Sequence, residues 1–430
     1  MATSLNVQTA GAKGDGKTND TAALQKAFAS AAASGVAVFI PAGTYLINAT
    51  LTTTVSILAD PGAVLKANAN FEGAMVAINA SNLIVEKLKL NGNGKTNNGF
   101  RIATGNNHVT IRDCEVYGLI QLKGFTSETV GIRIQSNVHH VLIDGCYLHN
   151  LNAPVNGICR GVLANASGGG GDSTNLTIVN SRFEEIAPVD NGDGIVVQDY
   201  TGNVSLVIAN NYFYRCYKRS IKVQVDGFSV IGNIIDSPFL GTAKKDVQPY
   251  SAISAYGSNG VIASNTCLIA TALNPIELGI SGTTTSNVSI IGNVVRQNKT
   301  TADLSNADCI RIYGQADHTI IKGNNLKDGR MGIHLNTNGN GLIISENTID
   351  NVDSIAVYID DNFAGAYPDN VSIVGNAFTN CNNIGIAAKS AGGLNGKHIA
   401  CAGNVGTTKG QLIDAGLLRY VSAAANAGNA

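Results

Sequence analysis

Short stretches of alternating apolar and polar residues recur along most of this chain. Examples are SVIGNII, VIASNTC, SIIGNVV, IIKGNNL, LIISENTI and SIVGNAF, in which β-branched residues precede Gly-Asn or a substitute and an apolar pair follows. Alternation with a period of two residues is typical of half-buried β-strands and does not fit a helix. The pattern therefore predicts a chain built mainly of short strands.

The Asn of this pattern returns at intervals of 22 to 35 residues, which indicates an internal repeat. In earlier copies Leu, Cys or Ser takes its place, and the whole series is Leu88, Cys114, Cys146, Ser181, Asn211, Asn233, Asn265, Asn293, Asn324, Asn347, Asn376 and Asn404. Asn tolerates the left-handed backbone of a tight corner, and stacked Asn side chains can hydrogen-bond to one another. We expect these residues at the corners of stacked coils.

A second alternating strand follows in each repeat, as in SIKVQ, AISAY, PIELG, CIRIY and GIHLN. Helical stretches between the strands are missing, which excludes βαβ units. The sequence thus predicts an all-β fold, a right-handed parallel β-helix of about twelve coils spaced by about 4.8 Å. We expect the coils over residues 51–415 and a ragged C-terminal tail over 416–430.

Residues 1–50 have a different pattern and predict an N-terminal cap made of a helix and a strand. In TNDTAALQKAFASAAASG, Asp20 is the expected helix N-cap, Leu24 and Phe28 lie on one apolar face, and Gly35 ends the helix. The stretch VAVFIPAGTYLI then returns to strand. A helix at this point would cover the otherwise unpaired end of the solenoid.

The amino-acid composition argues against several classes of partner and ligand. The net charge is −1 and only 14% of the residues are charged, which argues against a nucleic-acid partner or a disordered acidic chain. Apolar runs are too short to span a bilayer, so no membrane partner is expected. Because Trp is absent, stacking on sugar rings would fall to Tyr. The eight Cys form no metal-binding spacing and are expected to be buried free thiols.

The segment AGAKGDGKTNDTAALQKAFASAAASGVAVFIPAGTYLI carries a specific motif, with Gly-Asp-Gly, Asp-Thr, an Ala-rich helix and Pro-x-Gly-Thr-Tyr in order. It resembles the opening of the pectate-lyase-like superfamily, which includes polygalacturonases and phage tailspike depolymerases. The resemblance implies the parallel β-helix, a polysaccharide substrate and, from tailspikes, a homotrimer. It also implies an extracellular location, as a phage virion component or as a secreted protein lacking its signal peptide here.

Strand register places a set of polar residues on one outward face. If Ile221, Ile253, Ile276, Ile310 and Ile333 point inward, the residues after them point outward. We call this set the outward column; it contains Arg101, Arg133, Val196, Lys222, Ser254, Glu277, Arg311 and His334, with Tyr256 and Tyr313 two places further on and Arg219 in the loop before. The column predicts a groove for an anionic or hydroxyl-rich glycan, and a merely solvated face remains the alternative.

Acids beside this column suggest glycoside hydrolysis, which needs two carboxyl groups flanking the scissile bond. Glu277 and Asp308 fall on successive coils, where Arg311 would keep one carboxylate ionised and desolvation would raise the pKa of the other. A second possible set is Glu184 with Asp193, in the loop before the groove strand. We expect no metal site and no cofactor for this reaction.

Two alternatives stay open. A polysaccharide lyase would act on a uronate by β-elimination, with Lys222, Arg311, His334 or a Tyr near the reacting proton, and Ca²⁺ is possible in that case. A receptor-recognition tail protein would instead bind its glycan without cleaving it.

Overall fold

A computed structural model describes residues 4–154, 157–166, 170–187, 191–237, 251–269, 274–297, 307–362, 365–419, 421–424 and 427–428. The chain divides into two compact parts, residues 1–218 and 219–430, which we call unit 1 and unit 2. The fold is a right-handed parallel β-helix, as predicted.

Unit 1 contains one α-helix, α1 (Thr21–Ser34). Its strands are β1 (Ser4–Asn6), β2 (Asp15–Asn19), β3 (Ala37–Ile40), β4 (Gly43–Ile47), β5 (Leu51–Thr53), β6 (Ile57–Ala59), β7 (Ala63–Ala67), β8 (Ala74–Ile78), β9 (Leu83–Glu86), β10 (Lys89–Asn91), β11 (Asn98–Ile102), β12 (Val109–Arg112), β13 (Glu115–Tyr117), β14 (Thr129–Ile134), β15 (His139–Asp144), β16 (Tyr147–Leu151), β17 (Cys159–Asn165), β18 (Thr174–Val179), β19 (Arg182–Ile186), β20 (Gly192–Ala209) and β21 (Tyr212–Cys216). Short 3-10 turns lie at Val7–Ala10 in unit 1 and at Ala391–Leu394 and Leu417–Arg419 in unit 2.

Unit 2 consists of further strands of the same kind. They are β22 (Arg219–Ile231), β23 (Ile234–Ser237), β24 (Ser251–Ala255), β25 (Gly260–Ala263), β26 (Thr266–Ile269), β27 (Ile276–Leu278), β28 (Thr284–Ser286), β29 (Val288–Ile291), β30 (Val294–Gln297), β31 (Ile310–Asp317), β32 (Ile320–Lys322), β33 (Asn325–Lys327), β34 (Ile333–Thr337), β35 (Asn340–Ser345), β36 (Thr348–Asp350), β37 (Val357–Asp360), β38 (Asp369–Val374), β39 (Ala377–Cys381), β40 (Ile386–Ala388), β41 (Ile399–Ala402), β42 (Val405–Thr408), β43 (Val421–Ala424) and β44 (Ala427–Gly428).

Successive coils pair in parallel along three ladders. In unit 1 the first ladder runs β5-β8-β11-β14-β17-β20, the second β1-β3-β6-β9-β12-β15-β18-β20 and the third β2-β4-β7-β10-β13-β16-β19-β21. In unit 2 the first runs β22-β24-β27-β31-β34-β37-β40, the second β22-β25-β29-β32-β35-β38-β41-β43 and the third β23-β26-β30-β33-β36-β39-β42-β44. Each coil thus has three faces, and the outward column lies on the first ladder.

The core of each coil is a stack of inward side chains. Ile253, Ile276, Ile310 and Ile333 pair in sequence on the first ladder of unit 2 and are fully buried. Burying one such side chain stabilises the fold by about 1.5–3 kcal/mol, and every coil repeats the gain. The repeated apolar positions therefore fix which side chains face outward.

The predicted Asn stack forms in unit 2. Asn324 shows the pattern: its Nδ2 donates to the Ile290 carbonyl at 2.9 Å and to Asn347 Oδ1 at 2.9 Å, while its Oδ1 accepts from Asn293. The same bonds link the members from Asn233 to Asn404. Each buried amide is satisfied only if the next coil supplies another, which confirms the side-chain ladder.

The corner itself is one residue earlier than predicted. The left-handed backbone belongs to the residue before each stacked position, such as Gly292 at φ 63°, Glu346 at φ 57° and Gly403 at φ 62°. The stacked residue is thereby turned inward, where its side chain reaches the neighbouring coils. Asn therefore occupies the stacked position because of its buried hydrogen bonds, and the residue before it adopts the left-handed backbone of the turn.

The N-terminal helix forms where predicted, but Asp20 has a different role. Its carboxylate makes no cap bond to α1 and instead accepts from the backbone N–H groups of Lys13 at 2.7 Å and Gly14 at 3.0 Å. At φ −92° and ψ 1° the Asp20 backbone is not extended as in an ordinary N-cap. Gly35 ends the helix in the left-handed conformation, as expected. The strands β1 and β2 pair with β3 and β4, so pairing begins before the helix.

Strand pairing also reaches into the segment expected to be a ragged tail. Within 416–430, β43 pairs with β41 and β44 pairs with β42, both in parallel. The alternating sequence there continues the edge hydrogen bonds of the preceding coil. All eight Cys are free and buried, which confirms that expectation.

Candidate functional site

The pairing on the first ladder confirms the predicted register. In unit 2, Lys222 lies beside Ser254, and Ser254 beside Glu277. The column continues through Arg311 and His334 to Tyr358. Unlike a solvated face, this column is largely inaccessible: the exposed fraction is 1% for Glu277, 6% for Arg311 and 3% for His334. Ionisable groups buried on an outward face are typical of a functional site.

Glu277 lies on β27 in a pocket of neutral hydrogen-bond donors. Its Oε1 accepts from the Tyr256 hydroxyl at 2.8 Å, and its Oε2 accepts from Asn274 Nδ2 at 3.3 Å. Burial raises the pKa of Glu277, and the hydrogen bonds and the charge of Arg219 offset only part of that effect. Burial and the nearby Glu277 charge also raise the pKa of Tyr256. Glu277 is therefore shifted towards its protonated form, as a general acid requires.

Asp308, just before β31, has the opposite surroundings. The Arg330 guanidinium binds its carboxylate in a bidentate manner, with Nε donating to Oδ1 and Nη2 donating to Oδ2, each at 2.8 Å. His334 Nδ1 lies 2.8 Å from Oδ2. Burial alone would raise the pKa of Asp308, but these charged donors outweigh it and lower the pKa. Asp308 is therefore held as a carboxylate in the interior.

His334 links Asp308 to a second acid. Its Nε2 lies 3.2 Å from Asp360 Oδ2, on the next strand, β37. A ring that faces carboxylates through both nitrogens can donate to both only as the imidazolium. Lys389 reaches Asp360 at 3.3 Å and Asp361 at 3.0 Å. Burial would raise the pKa of Asp360, but the His334 bond and the Lys389 charge lower it.

Arg311 lies between Glu277 and His334 along the column. Its guanidinium stacks on Tyr313 with 4.2 Å from Cζ to the ring centroid, and its Nη2 donates to Asn336 Oδ1 at 3.1 Å. The distance from its Nη1 to Asp308 Oδ2 is 3.9 Å. Arg311 thus contributes a weak contact to Asp308, and Arg330 and His334 make the strong ones. Its buried Nε has no hydrogen-bond partner among the residues that the structure describes.

Asn274 hydrogen-bonds to both acidic residues, Glu277 and Asp308. This side chain donates to Glu277 and accepts the backbone N–H of Asp308 at 3.3 Å. One amide thus links the Glu277 carboxyl group to the backbone of Asp308, and the Asp308 carboxylate is held separately by Arg330 and His334. Two acids whose pKa values are shifted in opposite directions separate the roles of proton donor and ionised partner.

The remaining unit 2 residues predicted for the site lie beside this cluster. Arg219 donates through Nε to Ser254 Oγ at 3.3 Å. Lys222 is half-buried one register position before Ser254. Together with Tyr256, Arg311, Tyr313 and His334, these residues surround Glu277 and Asp308 on the first ladder.

The unit 1 candidates do not form a second acid pair. Glu184 lies in β19 on the third ladder, where Tyr147 and Arg182 donate to its carboxylate, and not in a loop as expected. Asp193 begins β20 on the first ladder and is fully buried against Arg160. The two acids therefore lie on different ladders. Arg133 is on the first ladder and binds Glu128 at 2.8 Å.

Sequence reasoning missed several members of the cluster. Arg330 lies in a turn, and its contact with Asp308 has no signature in the alternation. Asp360 and Tyr358 could have been found, because continuing the column by one more coil leads to Tyr358 and the residue two places on is Asp360. Lys389 follows β40 and is visible only once the coils are stacked.

The described ranges contain no group of three or more His, Cys, Asp or Glu side chains arranged to hold a metal ion. Within the same ranges, no helix has the length and apolar character needed to cross a bilayer.

Solved structures share the fold. A surface adhesin of Streptococcus pneumoniae, PfbA, is 17% identical with a TM-score of 0.63, covering 90% of this chain and 91% of its own. The N-terminal fragment of bacteriophage Phi29 gene product 12 is 17% identical with a TM-score of 0.59, covering 95% and 70%. The catalytic unit of a Streptomyces thermodiastaticus α-1,3-glucanase is 13% identical with a TM-score of 0.53, covering 84% and 66%. No protein of curated function matches the sequence.

Family models match both parts of the chain. A model described as "Right handed beta helix region" covers residues 160–349. A model described as "Rhamnogalacturonase A/epimerase, pectate lyase-like" covers residues 4–218, half of the chain and the whole of the opening motif. The chain belongs to the rhamnogalacturonase A/epimerase, pectate lyase-like family.

Proposed function

We propose that this protein degrades a polysaccharide by hydrolysing its glycosidic bonds, with Glu277 as the proton donor and Asp308 as the ionised partner. The observation that supports this most is the opposite shift of the two pKa values within one hydrogen-bonded cluster. Hydrolysis of a glycosidic bond needs one protonated and one ionised carboxyl group. Family membership and the fold are compatible with this reaction and do not select it.

The proton donor would work as follows. Glu277 carries the proton that the leaving glycosidic oxygen needs, and Tyr256 and Asn274 hold its carboxyl group in one orientation. Loss of that proton places a negative charge in a buried pocket, which Arg219 and Arg311 offset. Arg311 and Tyr313 offer a stacked cation and ring beside the acid, a surface suited to a hydroxyl-rich ring.

Asp308 has capacity for one more hydrogen bond. A carboxylate has about four lone-pair positions. Arg330 uses one on each oxygen and His334 uses a second on Oδ2, which leaves one on Oδ1. Because the Asp308 side chain is fully buried, we assign it the role of a fixed negative charge that stabilises positive charge developing on the sugar ring. His334 and Arg330 keep the charge in place through the reaction.

The cations of the same cluster support a second candidate, β-elimination on a uronate. Arg311 and Arg330 both reach towards Asp308, and cations of this kind would neutralise a uronate carboxylate next to the reacting carbon. In that reaction Glu277 or Tyr256 would exchange the proton. A lyase that used Ca²⁺ would need a cluster of acidic ligands, and the described residues contain no group of three or more His, Cys, Asp or Glu side chains arranged to hold a metal ion.

An assay on a panel of bacterial capsular polysaccharides and pectins distinguishes these functions. New reducing ends without the ultraviolet absorbance of an unsaturated uronate support hydrolysis, and rising absorbance supports elimination. Glu277→Gln removes the proton but keeps the shape, and Glu346→Gln on an exposed turn is the matched control. Intact polymer that binds the protein measurably would contradict both reactions and identify a glycan-binding protein.

We also propose that the protein works outside the cell that makes it, since long glycans of this kind lie there. Assembly as a homotrimer is part of this proposal. Sedimentation of the full chain at equilibrium tests the trimer, and a single-chain mass would contradict it.

A further inference from the structure

We infer that unit 2 carries a second binding site, for an uncharged polyhydroxy ligand such as a neutral sugar, in a cavity at the ends of β36, β39 and β42. The cavity has a volume of about 380 Å³, and its lining includes Asn351, Asn380, Asn382, Thr407 and Lys409. This volume is within the range of about 300–1,000 Å³ usual for small-ligand pockets. These three strands belong to the third ladder, whereas the outward column lies on the first, and the proposal does not depend on the reaction proposed for Glu277.

Three amide side chains of the lining are oriented by acids on the preceding coil. The amide nitrogen donates to a carboxylate in each case, Asn351 to Asp328 at 2.6 Å, Asn380 to Asp350 at 2.9 Å and Asn382 to Asp353 at 3.5 Å. An ionised carboxylate only accepts hydrogen bonds, so the nitrogen of each amide must face it. The three Oδ1 atoms are therefore left to accept from a donor in the cavity.

These carbonyl oxygens are open to a ligand. Asn380 and Asn382 are exposed, and Asn351 is half-buried. Their Oδ1 atoms accept no hydrogen bond from any residue that the structure describes, and they do not belong to the buried polar atoms that lack a partner. A hydroxyl group can therefore reach them without any opening of the coils.

The donors and acceptors of the lining favour an uncharged ligand. Three acceptor oxygens disfavour an anion, because a carboxylate or phosphate group has no donor to offer them. Lys409 is exposed, forms no ion pair within the described part of the chain, and disfavours a metal cation. A hydroxyl group both donates and accepts, so a polyhydroxy ligand can donate to the amides and accept from Lys409.

The walls of the cavity are held in place before any ligand arrives. Backbone hydrogen bonds join the coils that form it: Asn351 donates to the Thr379 carbonyl at 2.9 Å, and Lys409 donates to the Cys381 carbonyl at 3.0 Å. Asn382 is fixed in the same way, since its N–H donates to the Val352 carbonyl at 3.0 Å. Binding would therefore cost little ordering of the backbone.

Ligand-observed NMR titration of the full chain tests the site, with glucose, galactose and rhamnose as neutral probes and sodium acetate as a charged one. We expect a neutral sugar to bind more tightly than acetate, with an affinity that changes little as salt rises, because no ion pair forms. The double variant Asn382→Ala/Lys409→Met should weaken this binding about tenfold or more, since an acceptor and a charged donor are lost. Lys322→Met is the control, because Lys322 is an exposed residue of the same unit that pairs with Glu346, and it should leave binding unchanged.

Two further variants separate the site from folding and from the hydrolysis proposed above. Thr407→Val keeps the shape of an exposed side chain, and loss of its hydroxyl group should weaken sugar binding severalfold. Glu277→Gln should leave the affinity for the sugar unchanged, whereas a loss in this variant would place the sugar at the first ladder and overturn the proposal. Undetectable binding of all three sugars, tighter binding of acetate, or full binding by Asn382→Ala/Lys409→Met would each overturn it as well.

Discussion

The outward column of the first ladder has the same register in both units but opposite chemistry. In unit 1 it passes from Arg101 and Arg133 to Leu163 and Val196, and Arg101 forms no ion pair with any residue that the structure describes. In unit 2 it holds Glu277, Arg311 and His334, whose charges are enclosed in a network with Asp308 and Arg330. The fold therefore repeats its backbone while its charges vary from coil to coil.

This difference favours unit 2 for acid–base chemistry. An enclosed network of opposite charges sets protonation states, which suits acid–base chemistry. Apolar Leu163 and Val196 pack with Val130 in unit 1, so the column is apolar on these coils.

Breaking the unit 2 network should have the largest effect on stability. Asp308→Asn leaves Arg330 and His334 without their buried counter-charge and should cost about 3–5 kcal/mol of unfolding free energy. The same substitution at Asp350, which pairs with Lys327 on the surface, should cost about 0–1 kcal/mol. Urea unfolding measures both, and equal losses would show that burial of the network is unimportant.

The stacked position gives the next largest contrast in stability between the two units. Asn324→Ala removes hydrogen bonds to two neighbouring coils and leaves buried backbone groups unpaired. The free energy of unfolding should therefore fall by about 2–4 kcal/mol. Unit 1 has Cys146 at this position, where the thiol makes a weak bond of 3.4 Å to the Ile111 carbonyl. Cys146→Ala should therefore cost about 1 kcal/mol or less. A Cys146→Ala loss as large as that of Asn324→Ala would contradict the difference between the units.

Acid should weaken the unit 2 network in a predictable direction. Asp308 and Asp360 have folded-state pKa values below the unfolded value of about 3.9, so their stabilisation is present above that pH and is lost as the pH falls through the folded pKa. Glu277 has a raised pKa, so its contribution is present below about pH 4.3 and is lost as the pH rises through the folded value. The free energy of unfolding, measured from pH 7 to pH 2, should fall less steeply with acid in Asp308→Asn than in the wild type. In Glu277→Gln it should change less with pH above about pH 4.3. The same acid dependence in Asp308→Asn as in the wild type would contradict the assigned charges.

The smallest loss of stability is expected at Lys389, at the exposed end of the unit 2 network. Lys389 contacts Asp360 and Asp361, but its side chain is 49% exposed. Solvent screens such pairs, so Lys389→Ala should lower the free energy of unfolding only slightly, and far less than Asp308→Asn. A loss close to that of Asp308→Asn would mean that the network depends on its exposed end.

The sequence predicts the coils well because each strand repeats the same alternation. Register on the first ladder follows from the inward Ile residues alone, which is why Glu277, Arg311 and His334 could be placed on one face. The partner of Asp308 could not be predicted, since Arg330 reaches it from a turn with no periodic signal. Asp20 shows the same limit, because a correct helix boundary did not reveal that its carboxylate binds the loop before it. Contacts made by irregular segments depend on the stacked structure.

The most direct test of the account is the release of reducing ends by the wild-type protein and by Glu277→Gln, on the polysaccharide that the wild type cleaves best. If Glu277 donates the proton, the rate should fall by at least about 100-fold. The Glu346→Gln control should keep the wild-type rate. Full activity in Glu277→Gln would contradict the assignment of the proton donor and with it the proposed site.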